Sequence, residues 1–203
     1  MLTNPDSVRS LVWTDYRIVL LVAVFVPLTL LIWSWVTKSE AISALLKIYW
    51  RVASLLAITT YLLIPGWSVG FATSLLAKLL IPLSLWFWAD LNEEIREQPK
   101  RSLNLGFNAW RWAMSVYCLV SGLLQLVFIR CVFSGSAMAG EVCQVWREPA
   151  LAYKAIVHSG DAGSNNLVFW GVLGAVALGF YALYLGYFLL VRLGRQGRSA
   201  LNQ

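Results

Sequence analysis

The chain has 203 residues, of which 59% are hydrophobic and only 13% charged, with a formal charge of +6. A soluble domain carries about 25% charged residues because its surface must face water, so this composition excludes an ordinary water-soluble domain and points to a lipid-facing one. The positive balance reads as Lys and Arg gathered at the cytoplasmic ends of membrane helices, not as a nucleic-acid surface.

Taken in order, residues 1–17 are mildly polar, with Asp6, Arg9, Asp15 and Arg17 nearly balanced. An uncharged run over 18–36 predicts the first crossing, which lacks the short core and cleavage site of a signal peptide, and Pro27 at its middle predicts a kink. A connection over 37–47 carries Lys38, Glu40 and Lys47. The next stretch holds one formal charge, Lys78, between Arg51 and Asp90. One crossing needs about 20 apolar residues, so two fit here, over 48–64 and 69–89, reversing at Pro65-Gly66. The segment 90–106 is the most polar loop, acidic through Asp90, Glu93 and Glu94 and then basic, broken by Pro99. A fourth crossing is predicted over 110–129, between Arg111 and Arg130. The loop 131–166 holds Cys131, Cys143, Trp146 and the only histidine, His158, and ends in the turn-rich SGDAGSNN. The last crossing is predicted over 167–191, followed by Arg192, Arg195 and Arg198. The fold expected is all-α: a polytopic membrane helical bundle of five transmembrane helices in one domain, 1–203. Eleven Trp and eight Tyr suit its interfacial belts.

Five crossings place the ends on opposite sides. The side with the C-terminus collects ten Lys and Arg against five on the other, so the C-terminus is expected in the cytoplasm and the N-terminus in the lumen or periplasm. Cys131 and Cys143 then share a compartment where a disulfide can persist, while Cys118 lies within the fourth helix as a small apolar filler. A competing arrangement of four crossings makes the second hairpin arm re-entrant and turns the N-terminus inward.

Lys78 is the residue most at odds with its surroundings, since an unpaired ammonium deep in lipid costs a few kcal/mol. All ten carboxylates fall at predicted helix ends or in loops, so no intramembrane acid is expected beside it. Snorkelling, an intramolecular partner, a partner protein's carboxylate, a lipid phosphate and a transport site all remain open for it. Small residues at Gly171, Ala175, Gly179, Ala182 and Gly186 share one helix face, suited to packing in the bundle or to docking a foreign helix or flat pigment. Asp90, Glu93 and Glu94 read as a charged handle for a partner, not a metal site, because no histidine joins them. Ser134, Gly135 and Ser136 near His158 are the nearest approach to a Ser/His site, and no catalytic motif accompanies them. No enzyme, resident cofactor or metal is expected, and bound lipid or chlorophyll would enter through a partner complex.

The segments SLVWTDYR (10–17), YWRVASLLAIT (49–59), IPLSLWFWADLNEEI (81–95), WRWAMSVYC (110–118) and LGYFLLVRLGRQGRSA (185–200) make the chain resemble an uncharacterised family of cyanobacterial integral membrane proteins, a domain of unknown function. The loop 131–166 is the least matched. That resemblance implies a thylakoid membrane or, failing that, a plasma membrane, and transfers no site residues. The function expected is a non-enzymatic accessory or assembly subunit of a photosynthetic, photosystem-type complex. The alternative is a small transporter or a lipid- or pigment-handling protein that uses Lys78 in a polar intramembrane site.

Overall fold

A computed structural model describes residues 5–98, 102–133, 140–159 and 166–192, and every regular element among them is helical. Lys100, Arg101, Arg195, Arg198, the Ser134, Gly135 and Ser136 run and most of the SGDAGSNN loop lie outside the described residues. The helices are α1 (Pro5–Val36), α2 (Glu40–Leu63), α3 (Ser68–Trp86), α4 (Ala89–Glu97), α5 (Ser102–Leu126), α6 (Arg130–Phe133), α7 (Glu141–Val145), α8 (Glu148–Val157) and α9 (Leu167–Tyr187). Four of them, α1, α2, α3 and the α9 segment through Val191, are long and apolar enough to cross a membrane.

The first helix begins at Pro5, well before the predicted residue 18, because Val8 and Val12 bury one face of its opening turns against Phe71, Trp146 and the Cys131–Cys143 disulfide. The disruption expected at Pro27 is a π-helical stretch, Leu20–Phe25, immediately before it. Proline has no N–H to offer the carbonyl four residues back, and its ring crowds that carbonyl, so the helix widens there. The carbonyls this releases find other donors. Tyr49 donates to the Ala23 carbonyl at 2.7 Å, and the Trp110 indole donates to the Val22 carbonyl at 2.7 Å. Both rings belong to the main core, which joins the second half of α1 to α2, α3, α4 and α5.

The predicted connection 37–47 shrinks to a tight turn in which Lys38 takes a φ of 53°. The apolar face Ile42, Leu45, Leu46 and Tyr49 is continuous at helical spacing and buried, and it carries α2 back to Glu40 although Glu40 and Lys47 face outward. The hairpin of α2 and α3 is antiparallel, with the Thr59 hydroxyl donating to Thr73 at 3.0 Å. It reverses at Gly66, whose φ of 83° suits glycine. Arg147 closes this turn by donating to the Ile64 carbonyl at 2.8 Å and the Leu63 carbonyl at 3.4 Å, placing a cation at a helix C-terminus. A Cβ on Gly66 would come within 2.8 Å of the Arg147 Nε, so that clamp also needs glycine.

Two predicted loops contain helices, and one predicted crossing shifts. The polar segment 90–106 begins as amphipathic α4, whose Leu91 and Ile95 are buried one turn apart under the bundle. The loop 131–166 folds into α6, α7 and α8 around the disulfide. The predicted 110–129 crossing is displaced to Ser102–Leu126 and is not among the four apolar helices, because polar residues interrupt it throughout.

The Ala23 carbonyl has no helical partner to fall back on, so Tyr49→Phe is expected to cost about 1–3 kcal/mol, the penalty for a buried acceptor left without a donor. A thermal melt of the detergent-purified variant should show a midpoint lowered by several degrees. An unchanged midpoint would mean that another donor reaches the carbonyl.

Candidate functional site

The polar residues that interrupt α5 form a stripe. Asn104, Asn108, Arg111 and Ser115 recur at three- and four-residue spacings, and Ser121 and Gln125 follow four residues apart; all are fully or partly buried on the inward face. Leu105, Trp112, Val116, Leu119 and Leu123 point outward and are exposed. This inverts the pattern of a helix in water.

At the far end of the stripe three helices meet in one polar centre. From α3, Lys78 is only 6% exposed, and its ammonium donates to the Gln125 Oε1 at 2.8 Å. Gln125 also accepts from Ser74 at 3.1 Å and donates its own amide to the Phe71 carbonyl at 3.3 Å. From α1, Asp15 brings its Oδ2 to 3.7 Å from the ammonium. The other oxygen of Asp15 accepts from Tyr117 at 2.8 Å and from Ser121. Both charges are therefore matched, and Gln125 is placed to orient the ammonium.

Lys78, Asp15, Ser74 and Tyr117 of this centre line a groove of about 470 Å³ between α1 and α2. The first half of α1 makes its close backbone approaches to α7 and α8, and it meets α3 and α5 through side chains, with Val8 and Val12 in the cluster of Phe71 and with Asp15 beside Lys78, Tyr117 and Ser121. That stand-off leaves the space. The walls are apolar, with Val19, Leu20, Leu56 and Ala57 among them, and α8 closes one end with Pro149, Ala150 and Tyr153. On α2 the lining runs from Trp50 to Leu63, which at ~1.5 Å per residue makes the groove about 20 Å long. Trp50 and Trp146 also line it, and the indole N–H of each is buried without a hydrogen-bond partner. Glu148 ties α8 to the first turns of α1, accepting from Arg9 at 2.9 Å and from the Trp13 indole at 3.0 Å. Partial burial opposes ionisation of Glu148, but the hydrogen bonds from Trp13 and Arg9 and the Arg9 charge outweigh it and hold the carboxyl below its ordinary range.

Several expectations change here. Lys78 does not snorkel, and an acid is available to it. Asp15, expected before the first crossing, lies inside α1 because that helix begins at Pro5. Sequence reasoning also misses Tyr117, Ser121, Ser74, Trp50 and Trp146, and Gln125 as a partner of Lys78, although the polar residues along α5 are a usable signal. Asp90, Glu93 and Glu94 lie on α4 and do not join the Lys78 centre, with Glu93 exposed and the other two half-buried. The small-residue face of α9 divides. Gly171 packs on the hairpin turn, where a Cβ would meet Pro65 at 2.5 Å, whereas Gly179 and Gly186 have open space around them. Ala175 and Ala182 are exposed. The residue that joins Gly171 on the packed face is Gly174, set against Tyr61 and Leu62. Arg111 forms a second polar centre near α4, donating to Asn92 and Asn108 with its guanidinium 4.0 Å from the Trp86 ring. His158 stacks on Trp170 at 3.9 Å and shares a hydrogen bond with the Tyr61 hydroxyl. Among the described residues no group of three His, Cys, Asp or Glu could hold a metal ion.

A family model described as "Protein of unknown function (DUF3177)" matches residues 9–201. No curated protein and no solved structure matches the chain.

Removing one member of the pair strands the other, and for a buried pair this costs about 3–5 kcal/mol. The figure is less here because Asp15 keeps 21% side-chain exposure. Lys78→Met and Asp15→Asn are each expected to lower the melting midpoint, and the double variant to lose clearly less than the sum of the two. Strictly additive losses would show that the two groups are not coupled.

Proposed function

The chain belongs to the DUF3177 family of proteins of unknown function, and we propose that it is a non-enzymatic integral membrane protein that holds an amphiphilic molecule in the groove between α1 and α2. The observation that carries this reading is the Lys78–Asp15 pair, with Gln125 behind it, in the lining of a largely apolar cavity. A buried ion pair is at best neutral for stability against a well-packed apolar replacement. Ionisable groups inside a membrane domain are expensive, and they concentrate where a ligand or ion is handled. Here the pair stands beside space of ligand size, which favours the lipid-handling alternative over a purely structural one.

Five crossings remain part of the proposal. Beside the four apolar helices, α5 supports a fifth, since its outward apolar face suits lipid and its inward polar stripe is satisfied within the bundle. The opening of α1, the hairpin turn and the Cys131–Cys143 disulfide share one end of the bundle. A disulfide favours the lumenal or periplasmic side for that end, with the C-terminus in the cytoplasm. The thylakoid is the setting that the cyanobacterial resemblance favours.

A second reading keeps the accessory or assembly role in a photosystem-type complex. It is favoured by α9, of whose apolar window only 17% is buried, against 28% to 44% in the other three apolar helices. Gly179, Ala182 and Gly186 would then admit a partner helix, with Asp90, Glu93 and Glu94 of α4 at the cytoplasmic end.

One purification separates the two readings. Protein extracted in mild detergent and stripped with organic solvent is expected to release one amphiphile near one-to-one stoichiometry, reduced several-fold in Lys78→Met protein of equal abundance. A lipid profile matching that of an unrelated membrane protein counts against the groove, and a stoichiometric protein partner on native gels favours the docking role. Reporters fused to the two termini are expected to report opposite compartments; both in one compartment would reduce the crossings to an even number.

A further inference from the structure

The geometry points to a separate site for an anionic phospholipid, in a cavity of about 300 Å³ between α2, α3 and the last turns of α9. The cavity shares no described lining residue with the α1–α2 groove, and the inference rests only on the membrane setting proposed above. Its walls are apolar, with Ile48 and Val52 from α2, Leu83 from α3 and Leu185 from α9. Among the described residues of the lining, the one formal charge is Arg51. Arg51 is exposed, yet its guanidinium enters no ion pair or hydrogen bond among the described residues, and no carboxylate lines the cavity.

Position decides what that cation can meet. The Thr59–Thr73 contact sets the hairpin register, so Arg51, eight residues before Thr59, is level with Ile81 on α3. Trp88, which meets Phe188 edge to face at a centroid distance of 5.9 Å, lies about 10 Å nearer the end of the bundle. A helical side chain leans towards the start of its own helix, so Arg51 leans towards Lys47, the exposed cation one turn back. An arginine held that far inside the helix end, on a face turned to lipid, is costly unless an anion meets it. A lipid phosphate supplies that anion, and a guanidinium can grip it with two parallel N–H donors. A zwitterionic head group would bring its own cation towards Arg51 and Lys47, which favours a lipid of net negative charge. The lining runs over Leu80–Trp88 and Tyr181–Leu189, each about 12 Å long, which suits an acyl chain and would be left empty by a free phosphate ion. This is also the end that carries the C-terminus, the cytoplasmic one in the proposed orientation, where anionic lipids concentrate.

Full-length protein is taken from membranes washed in alkaline carbonate, delipidated in dodecyl maltoside and titrated with dioleoyl phosphatidylglycerol or dioleoyl phosphatidylcholine. Native mass spectrometry counts the bound lipid. One phosphatidylglycerol should bind several-fold more tightly than phosphatidylcholine. Arg51→Gln should weaken phosphatidylglycerol about three- to tenfold and remove the preference, with the melting midpoint kept. Arg96→Gln, which removes an equal charge from an exposed position on α4, should leave the preference in place. Equal losses in the two variants, or no preference in the unaltered protein, overturn the site and leave only general attraction to a basic chain. A loss in Lys78→Met but not in Arg51→Gln overturns it by moving the lipid to the α1–α2 groove. A co-purifying protein retained only with Arg51, and no phosphatidylglycerol preference, overturns it by assigning the cation to a protein carboxylate. Release of the protein into the carbonate wash would remove the membrane setting and the site together, whereas retention followed by a failed titration removes the site alone.

Discussion

The Lys78 ammonium is the point on which three helices converge. It is held between a glutamine on α5 and an aspartate on α1, and each partner is fixed by further bonds: Gln125 to Ser74 and the Phe71 carbonyl, Asp15 to Tyr117 and Ser121. The first half of α1 makes its close backbone approaches at the other side, to α7 and α8. Asp15 thus adds a polar tie to the apolar packing of Val8 and Val12 with Phe71. The groove between α1 and α2 lies beside this tie, with Asp15 and Lys78 in its lining.

A related constraint acts on the backbone. In an apolar environment a carbonyl without a donor is costly, so each place where helical bonding lapses needs a substitute. Pro27 opens the helix, and Tyr49 and Trp110 cover the Val22 and Ala23 carbonyls. At the hairpin turn α2 runs out of donors, and Arg147 covers Leu63 and Ile64. These substitutes come from distant parts of the chain, so they also lock the tertiary arrangement. Arg147 lies four residues beyond Cys143, which joins the α6–α7 cap to the turn it clamps.

Against this background of satisfied groups, the exceptions gather. The indoles of Trp50 and Trp146 are two of the three buried side-chain atoms without a hydrogen-bond partner among the described residues, and both line the groove. The third, the Arg111 Nε, belongs to the α4–α5 centre, where the ring of Trp86 and two asparagines surround the guanidinium. The loosely covered α9 is the other part of the molecule with unspent surface, and it lies along α2, whose other faces meet α1 and α3.

Local chemistry settled much of the architecture in advance. Long apolar runs marked the first, second, third and last helices, because a helix must bury or expose one kind of surface along its whole length. Pro65-Gly66 marked the reversal, because few residues tolerate the backbone it needs. Element starts were less legible. Charges at Asp15 and Lys47 look like ends of helices, yet a helix runs through each, with Lys47 turned outward and Asp15 turned in, and α2 begins at Glu40 itself. Which charge faces which way depends on neighbours 60 or more residues distant, as Asp15 and Lys78 are, and no local pattern carries that information. Composition and spacing therefore determined that this is a helical, apolar bundle with a lone lysine deep inside it. Tertiary structure alone decided what that lysine meets, and where the helices stand apart, since pairing and empty space are properties of how separate segments pack.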